Sequence, residues 1–348
     1  MKKIVILIIL FCAFDLIANS QEFRRNENWI IGFAPAIIFN FNSGLQIDTL
    51  KQVVGIESSA CISDTNGYLQ FFSSGFYLAD KNGYLLQNGD STNCPKGSIL
   101  YQYYGGGSVF DQTSIIIPKK HNQYYVFSTG MSDSVANEYL NHHWTEFDIL
   151  NYSIVDMDSN AGKGKVVEKN IILADHQHYV NCALTAVKHA NGKDWWLVKA
   201  DCTNHRYQEF LVKEDTILGP FYQNITDTGD FCAFFSQIYF SQDGTQMASG
   251  IFGQIVNGTY SRNRVDIYDF DRCSGELIFK KYYMTPYDTI SYPNRDRKSG
   301  ICFSPDGKLL YMSNTYTIYQ IDLEDTNTYN ATFIHGPDTT INGFNWYN

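Results

Sequence analysis

The sequence predicts an all-β protein, a β-propeller of about six blades, and three observations carry that expectation. The first is composition: 25 Tyr, 24 Phe and 26 Gly in 348 residues describe many strands joined by tight turns. The acidic residues are skewed, 26 Asp against 10 Glu, and Asp favours turns and caps where Glu favours helix interiors. The second is repetition. Strand–turn–strand units recur near Gly67, His121, Gly192, Gly244 and Gly307, 52 to 71 residues apart, somewhat above the roughly forty to fifty of a propeller blade. The third is negative: no window of about a dozen residues keeps a 3.6-residue apolar period with caps at both ends.

Taken in order, Ala36–Phe41 reads as an N-terminal strand. Ala60–Ser63 and Tyr68–Ser73 flank Asp64-Thr65-Asn66-Gly67, and Asn-Gly is the strongest short hairpin signal. A second turn follows at Asp80-Lys81-Asn82-Gly83. Ser114–Pro118 and Tyr124–Ser128 flank a polar turn at 119–123, and Leu184–Lys188 turns at Asn191-Gly192 into Trp195–Lys199. Gln237–Phe240 leads into Ser241-Gln242-Asp243-Gly244, and Ile301–Phe303 turns at Ser304-Pro305-Asp306-Gly307 into Leu309–Ser313. Further strands are expected at Trp144–Asp148, Val265–Phe270 and Thr317–Asp322.

Radially packed repeats leave only short, protected edges, which favours a propeller over two β-sandwiches in tandem, the alternative. No Pro/Ser/Thr-rich linker divides the chain, so a single propeller domain over residues 21–348 is expected. The C-terminal Asn342–Asn348 is too short for three strands. Five blades and a partial sixth are therefore expected, truncated at the C-terminus, with Ala36–Phe41 near that end.

The N-terminus predicts export. Met1-Lys2-Lys3 is positive, Ile4–Phe14 is apolar, and Ala18-Asn19-Ser20 offers small residues for cleavage before Gln21. Residues 1–20 thus read as a signal peptide. The apolar run is too short for a span, which needs about twenty residues, and no later stretch is long and apolar enough. The mature chain is expected to be secreted or on the cell surface. Removing Lys2, Lys3 and Asp15 takes the formal charge from −10 to 24 − 35 = −11. With no basic stripe, nucleic acid is excluded as a partner.

The ordered set of motifs resembles a family. Glu57-Ser-Ser-Ala-Cys61-Ile-Ser-Asp-Thr-Asn-Gly67, then Leu69-Gln-Phe-Phe72 and Asn88-Gly89, is similar to the opening blade of large secreted propellers of Bacteroidota. Those proteins commonly carry a type IX secretion sorting domain or a gliding-motility-associated domain. Ser114-Ile-Ile-Ile-Pro118 before Tyr124-Tyr-Val-Phe127, Leu184 to Trp196, and Tyr268-Asp-Phe-Asp-Arg-Cys-Ser-Gly-Glu-Leu277 resemble later blades. Phe303-Ser-Pro-Asp-Gly307 is shared with WD-repeat-like propellers generally. Residues 21–348 are expected to hold no such sorting domain. The resemblance implies an extracellular or surface module with no assigned chemistry. Six Asp-Ser/Thr triplets, centred on Thr49, Ser91, Ser134, Thr216, Thr289 and Thr339, resemble the O-glycosylation signal of that group.

Candidate chemistry is sparse. Asp175-His176-Gln177-His178 is the tightest histidine group, and on a strand 176 and 178 would share a face and could hold one ion. A zinc site needs three or four convergent ligands, and polar loop residues are the plainer account. Asp64-x-Asn66-Gly67 and Asp80-x-Asn82-Gly83 lack the rest of a calcium loop and read as turns. No G-x-S-x-G is present, Gly105-Gly-Gly107 lacks the Lys of a phosphate loop, and no catalytic residue or cofactor is assigned. Trp195 and Trp196 put one ring on each face of a strand, one of them in the core between blades.

Seven cysteines remain after cleavage, an odd number without a C-x-x-C pair, and most read as small buried apolar groups. Cys182 and Cys202 flank the turn at 191–192 and sum to 384, where a two-residue turn pairs residues summing to 383 and a bulge shifts that by about one. They are the candidate disulfide. Three function classes follow: a non-enzymatic binding module for a glycan or partner protein, a propeller lyase or hydrolase with a site in the central funnel, or an architectural segment of an adhesin.

Overall fold

The computed structural model describes residues 24–31, 36–50, 60–104, 112–142, 147–201, 204–224, 237–256, 260–286, 300–313 and 317–335. The chain is all-β, and its six small antiparallel sheets are the blades of a six-bladed β-propeller. They fall into two compact units, Met1–Gln177 and His178–Asn348, three sheets in each.

The first unit opens with sheet 1, β1 (Asn28–Ile31), β2 (Ala36–Asn40) and β3 (Gln46–Leu50), paired in that order. Sheet 2 is β4 (Ala60–Ser63), β5 (Leu69–Ser73) and β6 (Leu78–Asp80). Sheet 3 is β7 (Ser114–Pro118), β8 (Gln123–Gly130), β9 (Ile149–Asp156) and β10 (Lys165–Ala174). In the second unit, sheet 4 is β11 (Tyr179–Lys188), β12 (Trp195–Asp201), β13 (Arg206–Val212) and β14 (Ile217–Asn224). Sheet 5 is β15 (Ile238–Phe240), β16 (Gln246–Val256), β17 (Tyr260–Phe270) and β18 (Leu277–Met284). Sheet 6 is β19 (Gly300–Phe303), β20 (Leu309–Ser313), β21 (Ile318–Asp322) and β22 (Thr332–His335). Within each unit the first strands of successive sheets lie against one another: β1 on β4, β4 on β7, β11 on β15, β15 on β19.

The turns explain why these segments form hairpins. Asp64 and Asp80 build the same device: the carboxylate accepts two backbone N–H groups, from Asn66 and Tyr68 in one turn and from Asn82 and Tyr84 in the other, at 2.8–3.0 Å. Those oxygens are spent on the backbone, which is what a turn requires. Ser241 and Ser304 do the equivalent in sheets 5 and 6. Each hydroxyl donates to the Asp two residues on at 2.6 Å and accepts the N–H that reopens the strand.

Alternation along a strand sends side chains into two different interfaces, since both faces of a blade are covered. Phe71 packs with Tyr124 toward sheet 3, ring centroids 5.3 Å apart, while Phe72 joins Ile30 and Ala36 toward sheet 1. In β17, Tyr268 and Phe270 face sheet 4 while Val265 and Ile267 face sheet 6. Each fully buried Phe contributes roughly 1.5–3 kcal/mol by transfer alone.

Two expectations need correction. The third strand of sheet 3 is Ile149–Asp156, not Trp144–Asp148. The N-terminal segment supplies a whole three-stranded sheet rather than one strand; 336–348 lie outside the described residues. Two short helices, α1 (Ile99–Tyr104) and α2 (Asp133–His142), accompany the sheets without altering the all-β class, the latter begun by Ser132, whose Oγ accepts the Val135 N–H at 3.4 Å. No helix among the described residues is long and apolar enough to cross a membrane.

Candidate functional site

A cleft of about 440 Å³ belongs to the first unit. It is lined by Arg24, Asn40, Asn42, Ser43, Gln46, Asn66 and Tyr68. Asn40 and Gln46 end β2 and begin β3, so the loop between them carries Asn42 and Ser43. Asn66 and Tyr68 come from the first hairpin turn of sheet 2. The Asn40 side chain accepts the Asn42 backbone N–H at 2.9 Å, which fixes that loop. Gly67, at φ +86°, lets the Asn42 amide settle on the turn: a Cβ there would meet Asn42 Cγ at 2.8 Å. From below, the buried Asn28 amide donates to the Gly67 carbonyl at 2.9 Å and to Ser63 Oγ at 2.8 Å. Arg24 Nη1 reaches the Asn66 carbonyl at 3.4 Å, and Tyr68 stands 62 % exposed at the rim.

Three amides of Asn, one of Gln, a guanidinium, a hydroxyl and a phenol converge there. Side-chain amides donate and accept at once, and so pair with vicinal hydroxyls, while an exposed aromatic ring covers an apolar sugar face. The lining residues include no carboxylate, imidazole or thiol, the groups that would activate the Ser43 or Tyr68 hydroxyl.

The residues singled out from sequence are not brought into this cleft. Asp175, His176 and His178 sit between β10 and β11 rather than on a strand, and His176 has φ +53°, so the shared face required for two imidazoles on one ion is not formed. Among the described residues no three His, Cys, Asp or Glu groups are placed to hold a metal. Cys202 lies outside the described residues; on the partner strand Cys182 is buried, in the irregular stretch between Tyr179↔Asp201 and Leu184↔Lys199. Of the O-glycosylation candidates, Thr49, Ser134 and Thr216 are exposed, and Thr289 and Thr339 lie outside the described residues. Ser91 is 4 % exposed, too buried to accept a glycan, and is withdrawn.

Sequence reasoning missed two buried ionisable groups of sheet 4. Lys199 donates to the Cys182 carbonyl and lies over the Tyr179 ring at 5.4 Å; burial pulls its pKa down to about 7. Glu209, on the opposite face, is pushed up to about 8 by burial, against the lowering effect of a hydrogen bond from Gln223. Lys199 follows the apolar run Trp195–Val198 and Glu209 stands beside Gln208, and the packing of neighbours on both faces makes these positions interior.

No family model matches the chain, and no curated protein matches it either. Solved structures do. A proposed 6-phosphogluconolactonase from Bacteroides uniformis aligns at 14 % identity and TM-score 0.45, covering 89 % of this chain and 82 % of that one. The periplasmic gluconolactonase PpgL of Pseudomonas aeruginosa aligns at 11 % and 0.46, covering 87 % and 77 %. The Nup133 β-propeller domain of Vanderwaltozyma polyspora aligns at 11 % and 0.38, covering 90 % and 92 %. At such identities and scores the similarities carry no argument about activity.

Proposed function

We propose that this chain is an exported, non-enzymatic recognition module on a β-propeller scaffold, and that the amide-lined cleft of its first unit holds a neutral glycan. The carrying observation is the lining itself: converging amides, Arg24 and the exposed Tyr68, with no carboxylate or imidazole among the lining residues to activate the Ser43 or Tyr68 hydroxyl. The ordered blade motifs support placing it with secreted Bacteroidota propellers of the type IX secretion and gliding-motility kind. Thr49, Ser134 and Thr216 are the O-glycan positions this reading retains.

The test is titration of the purified protein with a panel of neutral oligosaccharides, read by calorimetry. At least one should bind and be recovered intact. Tyr68→Ala and Asn42→Ala should each weaken it by about tenfold, the scale of one lost stacking or hydrogen-bonding group. Turnover of the glycan, or binding indifferent to both substitutions, sinks the proposal.

A further inference from the structure

A second cavity, about 290 Å³, lies within the second unit between sheets 4 and 5, lined by Trp196, Glu209, Phe221, Gln223, Ser274 and Glu276. It is a built site. Trp196, 5 % exposed, forms its inner wall, and its indole N–H donates to the Arg272 carbonyl at 3.0 Å. The turn Asp271–Glu276 closes over that ring. Gly275, at φ +85°, is what allows the approach, because a Cβ there would meet the indole at 2.9 Å. Phe221, 45 % exposed, stands edge-on to the indole, centroids 6.2 Å apart. Gln223 is locked at both ends, its amide donating to the Gly275 carbonyl at 2.7 Å and accepting the Leu277 N–H at 2.8 Å.

Glu209 sits in this wall, only 2 % exposed, and its Oε1 is buried with no hydrogen-bond partner. A buried carboxyl oxygen left unpaired is destabilising, so the arrangement is completed by a donor arriving in the cavity. Glu276 stands exposed at the mouth. Two carboxyl groups between two aromatic faces make a pocket for positive charge, since the ring faces and the carboxylates attract cations alike.

We infer that this cavity binds a small organic cation, a primary ammonium or guanidinium group on a short apolar stem, donating to Glu209 and Glu276 with its stem against Trp196 and Phe221. The site does not involve the amide-lined cleft and stands whether or not that cleft takes a glycan. The other ionisable groups on the surrounding elements are committed. Arg272 donates to the carbonyls of Lys188 and Asp243, and Asp271 accepts from Cys273 N–H and Ser274 Oγ. His189 stacks on Trp196 with Nε2 against the Cys273 carbonyl, and Tyr207 and Tyr268 pack edge to face in the core below. Binding a cation therefore releases the Glu209 proton to solvent below about pH 8, and affinity rises with pH until Glu209 is ionised without ligand.

The experiment is calorimetric titration with n-butylammonium and methylguanidinium, with n-butanol as the neutral control, in two buffers of different ionisation enthalpy. Expected are binding of at least one cation and none of n-butanol, affinity about tenfold or more higher at pH 8 than at pH 6, and release of close to one proton at pH 6. Glu209→Gln should fold, as the carboxyl is already neutral at pH 7, and should lose the proton release and at least tenfold in affinity. Phe221→Ala, on the exposed wall, weakens binding without touching the pH dependence and decides the matter should Glu209→Gln misfold. No binding by either cation, equal binding of n-butanol, or a pH-independent affinity overturns the inference.

Discussion

Glu209 and Trp196 show what single residues reveal and conceal. That one ring of Trp195-Trp196 lies in the core was legible, because adjacent tryptophans on a strand point to opposite faces; that it is Trp196, the structure shows. Glu209 was not, because a glutamate beside Gln208 in a strand reads as a solvated position, and here both faces of the sheet are covered. Its ionisation ties it to stability. The folded pKa near 8 lies above the unfolded value of 4.5, so its stabilising contribution is complete below about pH 4.5 and is lost as pH rises through 8. That amounts to at most on the order of 5 kcal/mol. Glu209→Gln should therefore gain on the wild type as pH is raised from 5 to 8, with the difference in melting temperature widening by several degrees. A difference that stays constant with pH contradicts the assignment. Lys199 titrates in the same region with a lowered pKa: its penalty is present below 7 and relieved as pH rises toward 10.5, which is why the variant difference, not the absolute profile, is the measurement.

Hairpins were the most legible elements, because their turn residues act locally. Ala60–Ser63, Ser114–Pro118 and Leu309–Ser313 fall where the sequence puts them, and residues 184–188 pair with 195–199 in the register, summing to 383, that the Asn191-Gly192 turn dictates. Elements defined by non-local contacts were hidden. Helix α2 depends on Ser132, itself held by Asp148 sixteen residues on through a 2.7 Å bond to its N–H. Sheets 4 and 5 also repeat a device that no spacing rule shows. On the third strand an arginine pairs with an aspartate and lies over a tyrosine of the fourth: Arg206 with Asp201 and Tyr222, Arg264 with Asp266 and Tyr282. Turn glycines differ by what surrounds them, and this separates two substitutions of the same type. Gly275→Ala meets both a left-handed backbone and the Trp196 ring, whereas Gly307→Ala meets the backbone alone, with nothing within 4 Å of its Cβ. The first should cost about 2–4 kcal/mol in chemical denaturation and the second about 1. Equal costs would mean that the turn does not close on the indole.

At the scale of the molecule, composition and turn repetition revealed an all-β chain of about six blades, while the division into two compact units left no mark in the sequence, because no linker composition signals it. Sheet 1 was read as a single strand for a physical reason: Gln46–Leu50 is exposed at four of its five positions, so β3 lacks the apolar alternation that identifies a strand. Its pairing with β2 from Ala36↔Leu50 to Asn40↔Gln46 supplies what the side chains do not. This N-terminal sheet begins at Asn28, a few residues past the proposed cleavage site, so a processed chain keeps every described strand. The segment before it has the dimensions of an export signal. Ile4–Phe14 is eleven residues, about 16 Å as a helix at 1.5 Å per residue, roughly half the 30 Å hydrocarbon layer an anchor must cross. Asp15 stops the apolar run, and Ala18 and Ser20 are small enough for a peptidase cleft. Expressed in its own type of cell, the protein should be recovered outside the cytoplasm with Gln21 as its first residue, free or cyclised to pyroglutamate. Intact mass and N-terminal sequencing read this directly. Recovery of a chain that still carries Met1–Ser20 would remove the export proposal, while leaving the glycan cleft and the cation pocket to their own tests.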